Sequence, residues 1–169
     1  MDRDFTLLYQ KYKQPIFSYI YYLSKNNTEA EEICQDVFLK VYLNIDKFEG
    51  RSSLKTWIYR IAKNTFLEYK RKAKKEVLVE EIALLENPLI DETSNPENCL
   101  LNNEAHQQIK ETLMKISEKH RMFIVLRDIQ NLSYQEISEI TDLKLNTVKV
   151  NIYRARNEFE KIYKGLEGS

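Results

Sequence analysis

Between Asn131 and Tyr163 the chain runs NLSYQEISEITDLKLNTVKVNIYRARNEFEKIY, and this spacing leaves little room for anything but two helices joined by a tight turn. Ser133 followed by Glu136 is a capping box: the hydroxyl can accept from the backbone N–H three residues on, while the carboxylate reaches back to the cap's own N–H. Ile137 and Ile140 give the first helix an apolar face, and Thr141 to Lys144 break it. Leu145, Val148, Ile152, Ala155 and Phe159 then recur mostly three or four apart, which predicts a second, longer helix. Its opposite face carries Asn146, Lys149, Asn151, Arg154 and Arg156, side chains able to donate to phosphates and base edges. The pattern is a helix-turn-helix with the second helix as the reader of DNA. Helix pairs with no such role are common, and the clustering of basic residues on one face is what favours nucleic acid.

The rest of the chain is also helical in pattern. Three glycines and three prolines among 169 residues argue against an all-β architecture with many tight turns. Phe5, Leu8, Tyr9, Tyr12, Ile16, Tyr19, Ile20 and Leu23 repeat at helical spacing, with Pro15 predicted to mark a kink or a fresh first turn. Asn26 and Asn27 read as a loop, and Thr28 with Glu31 as a second capping box. The helix so opened has Ile33, Cys34, Val37, Phe38, Val41 and Tyr42 inward and Glu32, Gln35, Asp36 and Lys40 outward. On spacing alone these four are a solvated face. A loop from Phe48 to Ser53 contains Gly50 and ends in a serine cap. The following helix buries Leu54, Trp57, Ile58, Ile61, Ala62 and Phe66, and displays Lys55, Arg60, Lys63 and Asn64. The fold class is therefore all-α, in two small helical domains over 1–75 and 104–169, joined by an acidic flexible linker over 76–103 with two Asn-Pro pairs.

The formal net charge of zero conceals a division along the chain. Lys47 to Lys75 holds ten Lys or Arg against two acids, whereas Glu76 to Ile109 holds eight acids and no Lys or Arg. A cationic block next to an anionic one cancels in the sum but not in the local field. Cys34 and Cys99 suit a reducing cytoplasm better than a disulfide scaffold, and Cys34 falls on an apolar stripe. His106 and His120 lack the companions of a zinc site. With no signal-peptide pattern, no membrane-spanning run, no glycine-rich phosphate loop and no assembled nucleophile and base, a soluble cytoplasmic non-enzyme without metal or cofactor is expected.

Three segments carry a family resemblance. Ala30 to Tyr42 (AEEICQDVFLKVY) is similar to the core-polymerase-binding helix of bacterial RNA polymerase sigma factors of the extracytoplasmic-function type. Phe48 to Asn64 (FEGRSSLKTWIYRIAKN) resembles the segment of those proteins that melts and reads the −10 promoter element. Leu132 to Ile137 (LSYQEI) with Asn146 to Arg156 (NTVKVNIYRAR) resembles their −35 reader. Together, in this order and separated by an acidic linker, the three cover nearly the whole chain.

The resemblance implies an alternative sigma factor that binds core RNA polymerase and promoter DNA in a stress response. It implies an anti-sigma partner, in this family often membrane-attached, and a monomer when free. Glu32, Gln35, Asp36 and Lys40 would then meet core polymerase. Phe48, Arg51, Ser52, Ser53, Lys55, Arg60, Lys63 and Asn64 would hold the −10 element, with Phe48 stacking on an unpaired base and Asn64 reading its edge. Trp57 is expected to hold its helix to the domain rather than touch DNA. Ser133, Tyr134, Thr147, Lys149, Asn151, Tyr153 and Arg154 would serve the −35 duplex. The chain departs from the family pattern at Asp142 and Lys144 in the turn and at Asn146, Val150 and Asn151 in the reader. Lysine cannot accept a cap bond, which predicts a later helix start with Asn146 as cap; Asn151 suggests an adenine-rich contact. A stand-alone helix-turn-helix regulator would require a dimerisation seam, and no leucine-rich stripe suited to one is present. A helical interaction protein with an incidental basic face would leave Arg154 and the Phe48 loop without purpose.

Overall fold

The structure, a computed structural model, describes residues 2–81 and 104–168, with side chains described over 5–76, 104–166 and 168. Every regular element among them is helical. The elements are α1 (Asp2–Ser24), α2 (Asn27–Asn44), α3 (Leu54–Glu81), α4 (Glu104–Lys115), α5 (Glu118–Ile124), α6 (Tyr134–Thr141) and α7 (Leu145–Glu167). A 3-10 turn over Ile45–Lys47 follows α2, and a π turn over Val125–Ile129 extends α5. The basic run at 70–75 does not end α3, which continues through Glu81. The rest of the predicted linker, with Cys99, lies outside the described residues.

Helices α1, α2 and α3 form one core because each presents an apolar stripe of the right period. Ile16, Tyr19 and Ile20 meet Ile33, Val37 and Val41, and Ile58, Tyr59, Ala62 and Phe66 close the third side. Aromatic edges knit α1 to α2: Tyr9 lies 4.9 Å from Phe38 and Phe5 lies 5.1 Å from Tyr42, both edge-on. Pro15 is accommodated inside an unbroken α1 and neither divides nor restarts it. Asn26, not Thr28, caps α2: its side chain accepts from the Glu29 backbone N–H at 3.0 Å, and Lys25 before it takes φ 60°. In place of the capping box read at Thr28 and Glu31 there is a single side-chain cap two residues earlier, because the helix begins at Asn27. Burial pushes the Cys34 thiol up to about 12, the state of an inert small hydrophobe rather than a reactive thiol.

The second core gathers Leu113, Ile116, Phe123, Val125, Leu126, Leu132, Ile137, Ile140, Val148, Ile152 and Ala155. Arg121 is buried within it, its guanidinium donating to the carbonyls of Ile116 at 3.1 Å and Leu113 at 3.4 Å. These are carbonyls at the end of α4 that lack partners in their own helix, so a buried cation ties off one element while belonging to the next. The two cores also touch: α1 and α3 pack against α5, the π turn and α6.

Candidate promoter-binding surfaces

Ser133 begins α6 as its spacing requires. Its hydroxyl accepts from the Glu136 N–H at 3.0 Å, and its own N–H donates to the Glu136 carboxylate at 2.8 Å. The helix ends at Thr141, and Asp142 takes the left-handed conformation, φ 57° and ψ 28°, one of the few non-glycine residues that tolerates it. α7 begins at Leu145 with Lys144 in the cap position, making no side-chain cap bond. The helix therefore starts earlier than Asn146 and leaves its first N–H groups without a side-chain acceptor.

Along α7 the residues divide cleanly. Val148, Asn151, Ile152 and Ala155 are buried, whereas Asn146, Thr147, Lys149, Val150, Tyr153 and Arg154 are exposed. Asn151 is only 5% exposed, and its side-chain amide donates to the Thr147 carbonyl at 2.9 Å. It stands three residues after Val148 and four before Ala155, inside the stripe that packs on the domain. The outward placement expected for Asn151, and the adenine contact drawn from it, are corrected by this burial. Arg156 is exposed as well, and it makes a two-point ion pair with Asp128 at 2.6 and 3.1 Å. Tyr134 is half-buried, with the Arg127 guanidinium 4.5 Å and the Lys149 ammonium 5.9 Å from its ring centre.

The first domain has a distinct concavity. A cavity of about 390 Å³ lies between the end of α2 and the face of α3, lined by Lys40, Asn44, Trp57, Ile61, Asn64 and Glu68 among others. Gly50, at φ +72°, turns the preceding loop, and Ser53 caps α3 by accepting from the Thr56 N–H at 3.1 Å. Asn64 lines this cavity; Phe48 instead packs on Trp57, ring centres 5.2 Å apart, and Trp57 forms the wall. Trp57, read from sequence as a purely structural anchor, is thus both anchor and cavity lining. Arg51 is exposed and paired with Glu49 at 2.7 Å, and Ser52 donates to the Ser53 carbonyl at 3.3 Å.

Three candidate cations of α3, Lys55, Arg60 and Lys63, face the second domain. Arg60 donates to the Glu139 carbonyl at 2.6 and 3.1 Å, and Lys63 to that of Ile140 at 3.2 Å. Lys55 lies 3.7 Å from the Glu136 carboxylate. Burial holds the Lys63 ammonium below its ordinary value, while Asp142 acts the other way. On α2, Glu32, Gln35 and Asp36 are exposed, but Lys40 turns to Glu68 at 2.7 Å and so belongs to the cavity. That bond, set against desolvation, holds the Glu68 carboxyl below its usual range. Leu39 and Leu43, 56% and 62% exposed, flank Asp36 at three and seven residues on the same face. Sequence reading passed over them, although their offset from the buried stripe was the available signal.

Residues 8–76 match the Sigma-70 region 2 family and residues 106–159 the Sigma-70 region 4 family. The RNA polymerase sigma factor YlaC of Bacillus subtilis is 32% identical over 91% of this chain and 88% of its own length. The ECF RNA polymerase sigma-E factor of Escherichia coli is 34% identical over 94% of this chain and 86% of its own. This chain belongs to the extracytoplasmic-function sigma factors. The sigma factor RpoE of Bartonella quintana, solved with the anti-sigma factor NepR, superimposes with a TM-score of 0.76 at 26% identity, covering 96% of this chain and 98% of that one. An alternative sigma factor directs promoter-specific initiation. In this sigma factor the cavity lies in region 2 and the exposed face of α7 in region 4. Among the described residues no helix is long and apolar enough to cross a membrane.

Proposed function

We propose that this sigma factor divides promoter recognition between two separate surfaces. The exposed face of α7 reads the −35 duplex through Lys149, Tyr153 and Arg154, with Thr147 and the Tyr134 ring beside them. The cavity beside Asn64 captures an unstacked base of the −10 element, with Trp57 as its stacking wall. The observation that carries this reading is the pairing of a recessed, amide-lined cavity on α3 with an outward cationic face on α7. A recessed site admits only a base that has left its helix, whereas a projecting helix fits a major groove. Phe48 acts through Trp57, bracing the wall. Glu32, Gln35 and Asp36 meet core polymerase, their acidic-polar face extended by Leu39 and Leu43.

The likeness to a sigma factor solved with NepR supports an anti-sigma partner for this chain too. The remaining features of the proposal are a stress-response role, a cytoplasmic site of action, a monomeric free state and action by binding without catalysis. The test is transcription in vitro with bacterial core polymerase on a promoter panel. Lys149→Ala with Arg154→Ala should abolish dependence on the −35 sequence. Asn64→Ala should alter which base is preferred at one non-template −10 position. Wild-type promoter preferences in both double variant and Asn64→Ala would overturn the division.

A further inference from the structure

The exposed face of α7 contains a side chain that cannot serve the electrostatic task of its neighbours. Val150 is 46% exposed in the second turn of α7, while Val148, Ile152 and Ala155 pack the helix onto its domain from the opposite side. Residues three and four apart on a helix are surface neighbours. Val150 therefore sits among Asn146, Tyr153 and Arg154, with Lys149 alongside. Tyr153, at 68% exposed, is the other large apolar surface of the patch. A cationic rim fits a polyanion, and an apolar centre within it fits the one apolar feature a base pair shows in the major groove. That feature is the C5-methyl of thymine. Valine has no donor or acceptor, so it discriminates bases through that methyl and nothing else.

We propose that Val150, backed by the Tyr153 ring, is a thymine-specific contact that packs against a C5-methyl of the −35 element. This rests on the assignment of α7 as the duplex reader. Lys149 and Arg154 hold the helix in the groove through phosphates and hydrogen bonds; Val150 adds selectivity for thymine at one position. Buried Asn151 makes no base contact, so sequence preference shifts from an amide to a methyl reader.

The experiment uses holoenzyme assembled from the full chain and bacterial core polymerase. Its preferred −35 sequence is first selected from randomised duplexes. Each thymine of that site is then replaced singly by deoxyuridine, which removes the methyl and leaves base pairing intact. At one position the wild type should lose about 3–5-fold in affinity, the scale of one buried methyl group. Val150→Ala should bind thymine and uracil equally there, while keeping the wild-type dependence on every other base pair. Val150→Thr, which keeps the shape and adds a hydroxyl, should retain part of the difference. The proposal is overturned if no thymine shows a methyl effect, or if Val150→Ala preserves it. If Lys149→Ala and Arg154→Ala both leave −35 binding unchanged, the duplex-reader assignment itself fails and the methyl contact falls with it.

Discussion

At the scale of single residues, burial separates side chains that composition treats alike. Asn151 and Asn146 are both amides on α7, yet one is enclosed and bonded to Thr147 while the other is exposed. The helical period separates them: Asn151 stands three residues after Val148 and four before Ala155, inside the buried stripe, whereas Asn146 stands two before Val148 and off it. Tyr19 is another case. It is fully buried and its hydroxyl has no hydrogen-bond partner among the described residues, while burial, with Tyr59 nearby, raises its pKa. An unpaired buried hydroxyl costs about 1–3 kcal/mol. Tyr19→Phe keeps the ring against Tyr59 and removes the unmet group, so it should raise stability by about 1 kcal/mol, read as a higher urea midpoint. A lower midpoint would show that the hydroxyl has a partner in solution.

At the scale of elements, helix ends decide where the functional side chains stand. The Ser133–Glu136 box sets the start of α6, and through the turn at Asp142 it sets the phase of α7. Ser133→Ala should cost about 0.5–2 kcal/mol of region 4 stability, seen as a lower midpoint for the chain and weaker −35 binding. Unchanged stability would mean that Glu136 alone holds the end. Gly50 has the same office in region 2. Nothing lies within 4 Å of where its Cβ would be, so the φ of +72° is its whole reason for being glycine. Gly50→Ala should therefore cost about 1–2 kcal/mol through the backbone alone and weaken −10 capture by displacing the loop. A variant with wild-type stability and capture would show that the loop relaxes to a negative φ.

At the scale of the whole molecule, region 4 occupies two of the cations of region 2. Arg60 and Lys63 serve the terminal carbonyls of α6, which carry the negative end of that helix, and so cannot meet DNA phosphates in this arrangement. Gln130 links the parts further. It accepts from the Tyr59 hydroxyl at 2.6 Å and donates to the Pro15 carbonyl at 3.2 Å, and Lys70 pairs with Glu118 nearby. Gln130→Ala leaves the mostly buried Tyr59 hydroxyl without its acceptor, which costs about 1–3 kcal/mol. The closed form should then give way to a more open one. A longer α1–α7 distance by fluorescence transfer, with several-fold tighter binding of a single-stranded −10 oligonucleotide by the free chain, is expected. An unchanged distance would mean that other contacts hold the domains together.

The sequence by itself determined the helical class, the helix-turn-helix with its Ser133 cap, the Ser53 cap and the apolar stripes of both cores. Each of these is local, set by residues within one or two turns of one another. It also carried the family motifs from Ala30 to Arg156, which placed Asn64 and Arg154 among the candidates. Only the tertiary structure decided that Lys40 belongs to the cavity, that Phe48 rests on Trp57, and that Arg60 and Lys63 reach α6. Those outcomes depend on partners 9 to 79 residues away, in contacts that no helical period encodes. A cation reads the same in sequence whether a phosphate or a helix-end carbonyl will meet it; which of them does is settled when the domains pack.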